Sequence, residues 1–266
     1  MARRRFFVDQ VRNGSAEIVG ESAQHLTRVL RVEAGQTFEI TDNSRVWLAT
    51  VESARKDLVR FNVTQELDPG PPAPEVTLYM ALIKFDHFEW AVEKATELGV
   101  TRIVPVAAAR SERGLFEGGQ KRAERWRRIA HEASEQSRRL RFPEIDAPAK
   151  ISRALADAST HRYWCDERPG APPLIAAFRM RTGDSTAVLI GPEGGWTDTE
   201  RDQFQATGWL GVSLGPLVLR AETAVCAALS VIAQEGLATR RKGMPRSAVA
   251  EHLLTPQASP LQSDLA

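Results

Sequence analysis

Apolar residues recur along this chain at two different periods, and the change of period divides it in two. In the first part, Phe6-Phe7-Val8, Glu17-Ile18-Val19, Thr37-Phe38-Glu39-Ile40, Val46 to Val51 and Val59 to Val63 are rich in β-branched and aromatic residues. Turn formers such as Asn13-Gly14 and Asp42-Asn43-Ser44 separate several of these runs, a pattern that predicts short strands. One helical segment, about Ser22 to Leu30, interrupts them and ends before Gly35. Five short strands and a helix predict a small barrel. Four prolines and a glycine between Glu66 and Glu75 then exclude a continuing helix or central strand and mark a linker.

Beyond the linker, strand and helix signals alternate. Val76 to Leu82 predicts a strand, and Asp86 with Glu89 predicts a capping box for the next helix. That helix should stop at Gly99. A strand at Ile103 to Val106 follows. From Arg122 to Leu140 the residues Trp126, Ile129, Ala130, Ala133, Ser137 and Leu140 fall on one helical face, opposite Arg125, Arg128, Arg138 and Arg139. Further strands are predicted at Tyr163 to Cys165, at Ala187 to Ile190 and near Val212, with a second capping box at Thr197 and Glu200. The last helix, about Glu222 to Leu237, is apolar nearly all round and should be buried on most sides. Alternation of this kind predicts a mainly parallel sheet with helices on both faces. Periodicity ends at Gly243, and the remainder reads as a loose tail.

Composition adds limits. The chain has 266 residues, 42% of them hydrophobic, enough for one or two domains with a proper core. It contains no apolar run of the ~18 residues that a membrane span needs, and the basic opening is followed by no signal-peptide core. The expectation is a cytoplasmic protein with no membrane partner. Cys165 and Cys226 are the only cysteines, too far apart for a metal motif and set among apolar neighbours. Net charge is only +1, but Arg110 to Phe142 holds ten Lys or Arg against five Glu. Arginine forks onto phosphate and stacks on bases, so a local basic face fits RNA binding.

Two loops carry the candidate chemistry. Leu189-Ile190-Gly191-Pro192-Glu193-Gly194-Gly195-Trp196 ends a strand just before a capped helix. Glycines there allow a ligand close to the backbone, beyond the carboxyl end of a strand where open α/β sheets bind ligands. It is neither a phosphate loop nor the Gly-x-Gly-x-x-Gly dinucleotide fingerprint. The second loop, Leu214-Gly215-Pro216-Leu217-Val218-Leu219-Arg220-Ala221-Glu222-Thr223-Ala224, leads into the last helix. Arg220 is disfavoured at a helix N-terminus by the dipole, so with Glu222 it must face solvent, pair with it, or line a site. No zinc helix and no Gly-x-Ser-x-Gly elbow is present, and no metal is expected.

These residues resemble the bacterial ribosomal RNA small subunit methyltransferase E family, the 16S rRNA uracil N3-methyltransferases. The similarity is carried by Arg5-Phe6-Phe7-Val8, by His25-Leu26-Thr27-Arg28-Val29-Leu30-Arg31, by Lys94-Ala95-Thr96-Glu97-Leu98-Gly99-Val100, by Arg125-Trp126 through Arg138, and most specifically by Ile190 to Gly195 and Leu219 to Ala224. It implies a PUA-like RNA-binding β-barrel over residues 1–70 and an α/β SPOUT methyltransferase domain with a trefoil knot over 75–242, followed by a flexible tail at 243–266. It also implies a homodimer and S-adenosyl-L-methionine as cofactor, bound by Leu189, Ile190, Gly191, Pro192, Glu193, Gly194, Gly195, Leu214, Gly215, Leu217, Leu219 and Ala224. Arg5, His25, Arg28, Arg31, Arg138 and Arg139 become candidates for contact with 16S rRNA or the assembled small subunit. Arg220 suits stabilisation of a uracil anion, with Glu193 or Glu222 accepting the N3 proton. The family more often has Ile-Leu-Arg-Thr-Glu-Thr-Ala where this chain has Val218 to Ala224, so Ala221 lacks a hydroxyl. Transfer to tRNA or to a ribose hydroxyl, or RNA binding without catalysis, are the competing readings.

Overall fold

The computed structural model describes residues 4–70, 74–178 and 184–242, with side chains described up to 237. The N-terminal unit is a five-stranded sheet built from β1 (Arg5–Phe7), β2 (Ser15–Val19), β3 (Thr37–Thr41), β4 (Val46–Arg55) and β5 (Leu58–Leu67), ordered β1-β3-β4-β5-β2. Only the β1–β3 pair is parallel. Two register shifts in β4–β5, at Leu48/Ala49 and Val51/Ser53, bend the strands. The sheet curls as a half-barrel around Phe6, Ile18, Leu26, Ile40, Val51, Val59 and Phe61. Its edges, β1 and β2, do not pair with each other, so the barrel expected from the strand pattern is open. Between β2 and β3, α1 (Gly20–Gln24) continues through a π-helical turn at His25–Val29 and covers the core with Ala23 and Leu26.

The second unit is a parallel sheet covered on both faces. Its strands are β6 (Glu75–Ala81), β7 (Arg102–Ala107), β8 (Glu144–Ile145), β9 (Ala149–Lys150), β10 (His161–Cys165), β11 (Ser185–Ile190) and β12 (Leu210–Val212), in the order β12-β10-β11-β6-β7-β8 with β9 also on β7. Every pairing is parallel. On one face α2 (Phe85–Glu97), α3 (Leu115–Gln136) and α7 (Ala221–Lys242) bury Phe88, Trp126, Ala130, Val225 and Leu229 against Leu78, Met80, Val188 and Ile190. On the other, α6 (Asp198–Ala206) sets Phe204 with Trp164, Trp196 and Trp209 against Tyr79, Val104 and Leu189. Two short helices, α4 (Ser152–Leu155) and α5 (Leu174–Ala177), complete the unit. No helix among the described residues is long and apolar enough to cross a membrane.

Several local expectations are corrected. α2 begins at Phe85 with Lys84 as an unassisted N-cap. Asp86 therefore lies inside the first turn, where its charge suits the helix dipole, and Glu89 instead accepts from Arg122 at 2.9 Å and pairs with Arg125 at 2.9 Å. α3 starts seven residues earlier than the amphipathic pattern indicated, because Gly118 and Gly119 are packing residues rather than breakers. A Cβ on Gly118 would lie 2.8 Å from the Phe85 ring, and one on Gly119 would lie 2.9 Å from Pro148. α3 ends at Gln136, and Arg138 turns the chain with φ +57. The Thr197–Glu200 capping box is present as predicted, with both reciprocal bonds. The predicted tail from Gly243 lies outside the described residues.

Candidate active site

β10 lies between β12 and β11, so the loops after these three strands meet over one end of the sheet. With the first turn of α7 they line a cleft that includes Cys165, Asp166, Glu167, the Ile190–Trp196 segment, Leu214, Gly215, Leu217, Val218, Leu219, Ala221 and Ala224. Its position beyond the carboxyl ends of parallel strands is the usual one for a ligand in an open α/β sheet.

Trp196 organises the middle loop. Its buried ring lies under Gly191, where a Cβ would come within 2.9 Å of the indole, and its Nε1 donates to the Cys165 carbonyl at 3.0 Å. The β11 loop is thereby tied to the β10 loop. Gly195 has φ +68, and its amide donates to the Pro192 carbonyl at 2.8 Å to close a turn. A side chain at Gly195 would meet Glu167 Oε1 at 2.7 Å as well as the strain of positive φ. Arg110, from the loop after β7, donates to the Gly194 carbonyl at 2.8 Å. Glu200, the capping residue of α6, accepts from the Ala109 amide at 2.8 Å. The loop is thus held from three sides while Glu193 and Gly194 remain exposed.

The β10 loop supplies the fixed charges. Arg201 forks onto Asp166 with bonds of 3.0 and 2.9 Å and reaches Glu167 at 3.0 Å. Burial alone would push the Asp166 carboxyl up; the Arg201 fork and the Arg168 amide together outweigh it and hold the group below its ordinary value. Asp166 is therefore an anion in the cleft wall at neutral pH. Burial, reinforced by Asp166, pushes the Cys165 thiol up to about 12, which makes it a poor nucleophile. Glu193 adds a third carboxylate at the rim, and Ile190, Leu217, Val218, Leu219, Ala221 and Ala224 make an apolar stretch of the wall. An apolar slot edged by carboxylates fits a ligand with an aromatic heterocycle, hydroxyl groups and positive charge.

Of the residues predicted to hold a cofactor, Ile190, Gly191, Pro192, Glu193, Gly194, Gly195, Leu214, Gly215, Leu217, Leu219 and Ala224 all line this cleft. Leu189 does not: strand alternation turns its side chain into the opposite core layer with Phe204 and Trp209. Arg220 stands exposed where the cleft-lining loop enters α7, and its guanidinium has no partner among the described residues. Glu222 faces away. Its Oε1 lies 2.8 Å from His87 Nδ1 on α2, its Oε2 is buried without a hydrogen-bond partner among the described residues, and it is not part of the cleft wall. This contact with His87 ties the first turn of α7 to α2. The Cys165–Glu167 loop escaped prediction because it has neither glycine nor a recognisable spacing, and His87 because a lone histidine on an amphipathic helix carries no signal.

The predicted RNA contacts divide into two groups. Arg28 and Arg31 are exposed on the N-terminal unit, and His25 is half-buried at its boundary with α3. Arg5, Arg138 and Arg139 are engaged elsewhere. Arg5 donates to Glu39 at 3.0 and 2.8 Å, and Arg138 from the other unit donates to the same carboxylate. Arg139 donates to the carbonyls of Thr96 and Val100, both at 2.6 Å, satisfying the end of α2. Burial pulls the Arg139 guanidinium down to about 10. Of these three, Arg138 alone crosses between the units, while Arg5 and Arg139 bond within their own. Thr41 Oγ1 donating to the Leu140 carbonyl at 3.2 Å, and Arg141 donating to the Asn43 carbonyl at 2.6 Å, extend the same seam.

Comparison with known proteins is consistent across sequence and structure. A family profile described as RNA methyltransferase domain matches residues 71–233, and one described as RNA methyltransferase PUA domain matches residues 18–64. The chain is similar to ribosomal RNA small subunit methyltransferase E of Synechocystis sp., 34% identical over 229 residues, covering 84% of this chain and 74% of that protein. It is also similar to the protein of that name from Aquifex aeolicus, 29% identical over 227 residues, covering 85% of this chain and 97% of the relative. Among solved structures, a methyltransferase from Legionella pneumophila in complex with SAM superposes with a TM-score of 0.78 at 26% identity, covering 88% of this chain and 98% of that one.

Proposed function

The chain belongs to the ribosomal RNA small subunit methyltransferase E family, and from that premise we propose that it methylates N3 of a uridine in 16S rRNA. The cofactor is S-adenosyl-L-methionine, and the enzyme is an rRNA methyltransferase. The observation that carries the N3 reading is the pairing of a carboxylate-edged cleft with an exposed Arg220, unpartnered among the described residues, where the cleft-lining loop enters α7.

The cofactor's chemistry is a methyl group already activated on a sulfonium, for which the chain's residues provide the setting. Ile190, Leu217, Leu219 and Ala224 give an apolar seat for a heterocycle, and Asp166 and Glu167 are carboxylates suited to hydroxyl groups or positive charge. Uracil N3 carries a proton and attacks poorly until it leaves. Arg220 stabilises the resulting anion by donating to a uracil oxygen. Glu193, exposed on the same loop system, accepts the proton from N3. The His87–Glu222 bond holds the first turn of α7 on α2, and so fixes the backbone that presents Arg220.

The same reading includes a chain that threads its own loops near Leu219–Arg220 as a trefoil knot, and an active site completed by a second copy in a cytoplasmic homodimer. Leu217 and Val218 support the dimer, being 78% and 80% exposed beside the cleft. Arg28 and Arg31 remain the candidates for RNA contact on the N-terminal unit. Mass spectrometry of 16S rRNA from a strain lacking this protein tests the reading. Loss of one N3-methyluridine, restored by the intact gene, is expected; an unchanged modification pattern overturns it.

A further inference from the structure

Between the two units lies a second cavity, of about 820 Å3. One wall comes from α1 and its π-turn, with Glu21, Ser22, His25 and Leu26; the other comes from α3 and the segment after it, with Arg128, His131, Glu135 and Phe142. Of the residues given a part in the methyl-transfer reading, His25, a candidate RNA contact, borders this space.

Its charge is the reverse of what a phosphate chain needs. Six carboxylates line it: Glu21, Glu124, Glu132, Glu135, Glu144 and Asp146. Arg127 matches Glu124 at 3.2 Å, and Arg102 matches Asp146 at 2.8 Å and Glu144 at 3.8 Å. Among the described residues, Glu21, Glu132 and Glu135 are left against Arg128 and the charge of Arg4. Glu135 is the unusual member. Its side chain is only 6% exposed, yet it makes no hydrogen bond among the described residues. His131 Nδ1 lies 4.0 Å from its Oε1. Burial pushes the Glu135 carboxyl up to about 7, with Arg4 opposing the effect through its charge alone, and the same burial lowers His131, which is neutral at pH 7. The Glu135 oxygens are not sealed off but open to the cavity, so a donor entering that space can bond them. Beside it the rings of His131 and Phe142 lie 5.6 Å apart, and Phe7 closes the cluster at 5.2 Å from each.

We propose that this cavity between the units is a docking site for an arginine side chain of a protein partner, whose guanidinium forks onto Glu135 and lies against Phe142. A guanidinium is planar, donates two parallel N–H groups to one carboxylate, and stacks on aromatic rings. Each of these properties answers one feature of the site: the orphaned carboxylate, the ring wall and the uncompensated negative charge. Lysine answers only the last. A nucleobase with two adjacent donors would satisfy Glu135, but its phosphates would face Glu21 and Glu132. Such a partner brings a basic segment to the seam between the RNA-binding unit and the catalytic unit, and an RNA substrate assembled with protein is one that carries such segments.

The test uses the full chain without RNA, so its outcome is separate from that of methyl transfer. Nα-acetylarginine methylamide, the corresponding lysine compound and guanosine monophosphate are each titrated and followed by NMR of the protein. Saturable binding of the arginine compound is expected, with shifts at Glu135 and Phe142, weaker binding of the lysine compound and none of the nucleotide. Glu135→Gln should weaken the arginine compound by about tenfold or more, the loss of a charged hydrogen-bonded pair, while leaving cofactor affinity unchanged. Phe142→Ala, at a residue 46% exposed, gives a second variant that spares the buried group and should also weaken binding. The proposal is overturned if arginine and lysine compounds bind alike, if the nucleotide binds in their place, if nothing binds, or if both variants bind as the parent does.

Discussion

The seam between the two units gives a quantitative prediction that separates a structural arginine from an RNA-binding one. Glu39 is the hub: its side chain is 8% exposed, Arg5 beside it 10%, and Arg138 from the other unit 43%. Glu39→Gln keeps the shape but leaves the Arg5 guanidinium buried without a counter-charge. Breaking a buried pair from one side costs about 3–5 kcal/mol. Arg138 is half in water, so Arg138→Ala should cost only about 0–1 kcal/mol. Because Arg138 turns the chain at φ +57, Arg138→Gly should recover much of even that, a left-handed residue costing roughly 1 kcal/mol unless it is glycine. Urea denaturation followed by tryptophan fluorescence reads these differences. Trp47 lies in the N-terminal core and reports on that unit directly. RNA binding across a salt series is the companion measurement. A residue that contacts phosphate changes the log–log slope by about 0.7–0.9, and Arg138→Ala should leave it unchanged. The reasoning is refuted if Glu39→Gln costs under about 1 kcal/mol, or if Arg138→Ala flattens the salt dependence at unchanged stability.

Gly195→Ala should reduce cofactor affinity by about tenfold or more, since the added Cβ meets Glu167 at 2.7 Å in a left-handed turn; equilibrium binding by calorimetry checks this, and normal affinity counts against the cleft. Arg220→Ala should lower the single-turnover rate at saturating RNA far more than it lowers RNA affinity, and the opposite split removes Arg220 from the reacting base. Glu135 holds its proton in the folded state up to about pH 7 but releases it near 4.5 when unfolded. The folded state therefore binds more protons across that window, and stability falls as pH rises from about 4.5 to 7, by on the order of 3 kcal/mol. Glu135→Gln should flatten this slope, as measured by denaturant midpoints at pH 5.5 and 8; an unchanged slope assigns the titration to another group.

How much of this was legible in the sequence depended on whether local chemistry declared its own purpose. Alternating apolar runs placed most strands and the long helices, because period and burial are linked. The Thr197–Glu200 box was legible because both partners lie within four residues. The glycines of Ile190 to Gly195 marked the central loop, but Asp166 and Glu167 join it only through tertiary placement by Arg201. Gly118 and Gly119 misled, since a breaker and a close-packing glycine look alike until Phe85 and Pro148 are beside them. Charge misled in the same way. Arg138 and Arg139 share a basic run with Arg128, yet their partners are Glu39 and the end of α2. Glu222 lay on the right helix, but one turn angle carries its carboxylate to His87 rather than into the cleft.

The most direct test of the central claim is to supply purified protein with S-adenosylmethionine labelled in its methyl group and unmodified 16S rRNA, free and within small subunits. The labelled nucleoside is then identified by digestion and mass spectrometry. The account predicts label on N3 of a single uridine, lost with Arg220→Ala and retained with Arg138→Ala. Label on a ribose hydroxyl or on another base, label on transfer RNA in preference to 16S rRNA, or no transfer to either form of 16S rRNA by a protein that binds the cofactor would contradict it.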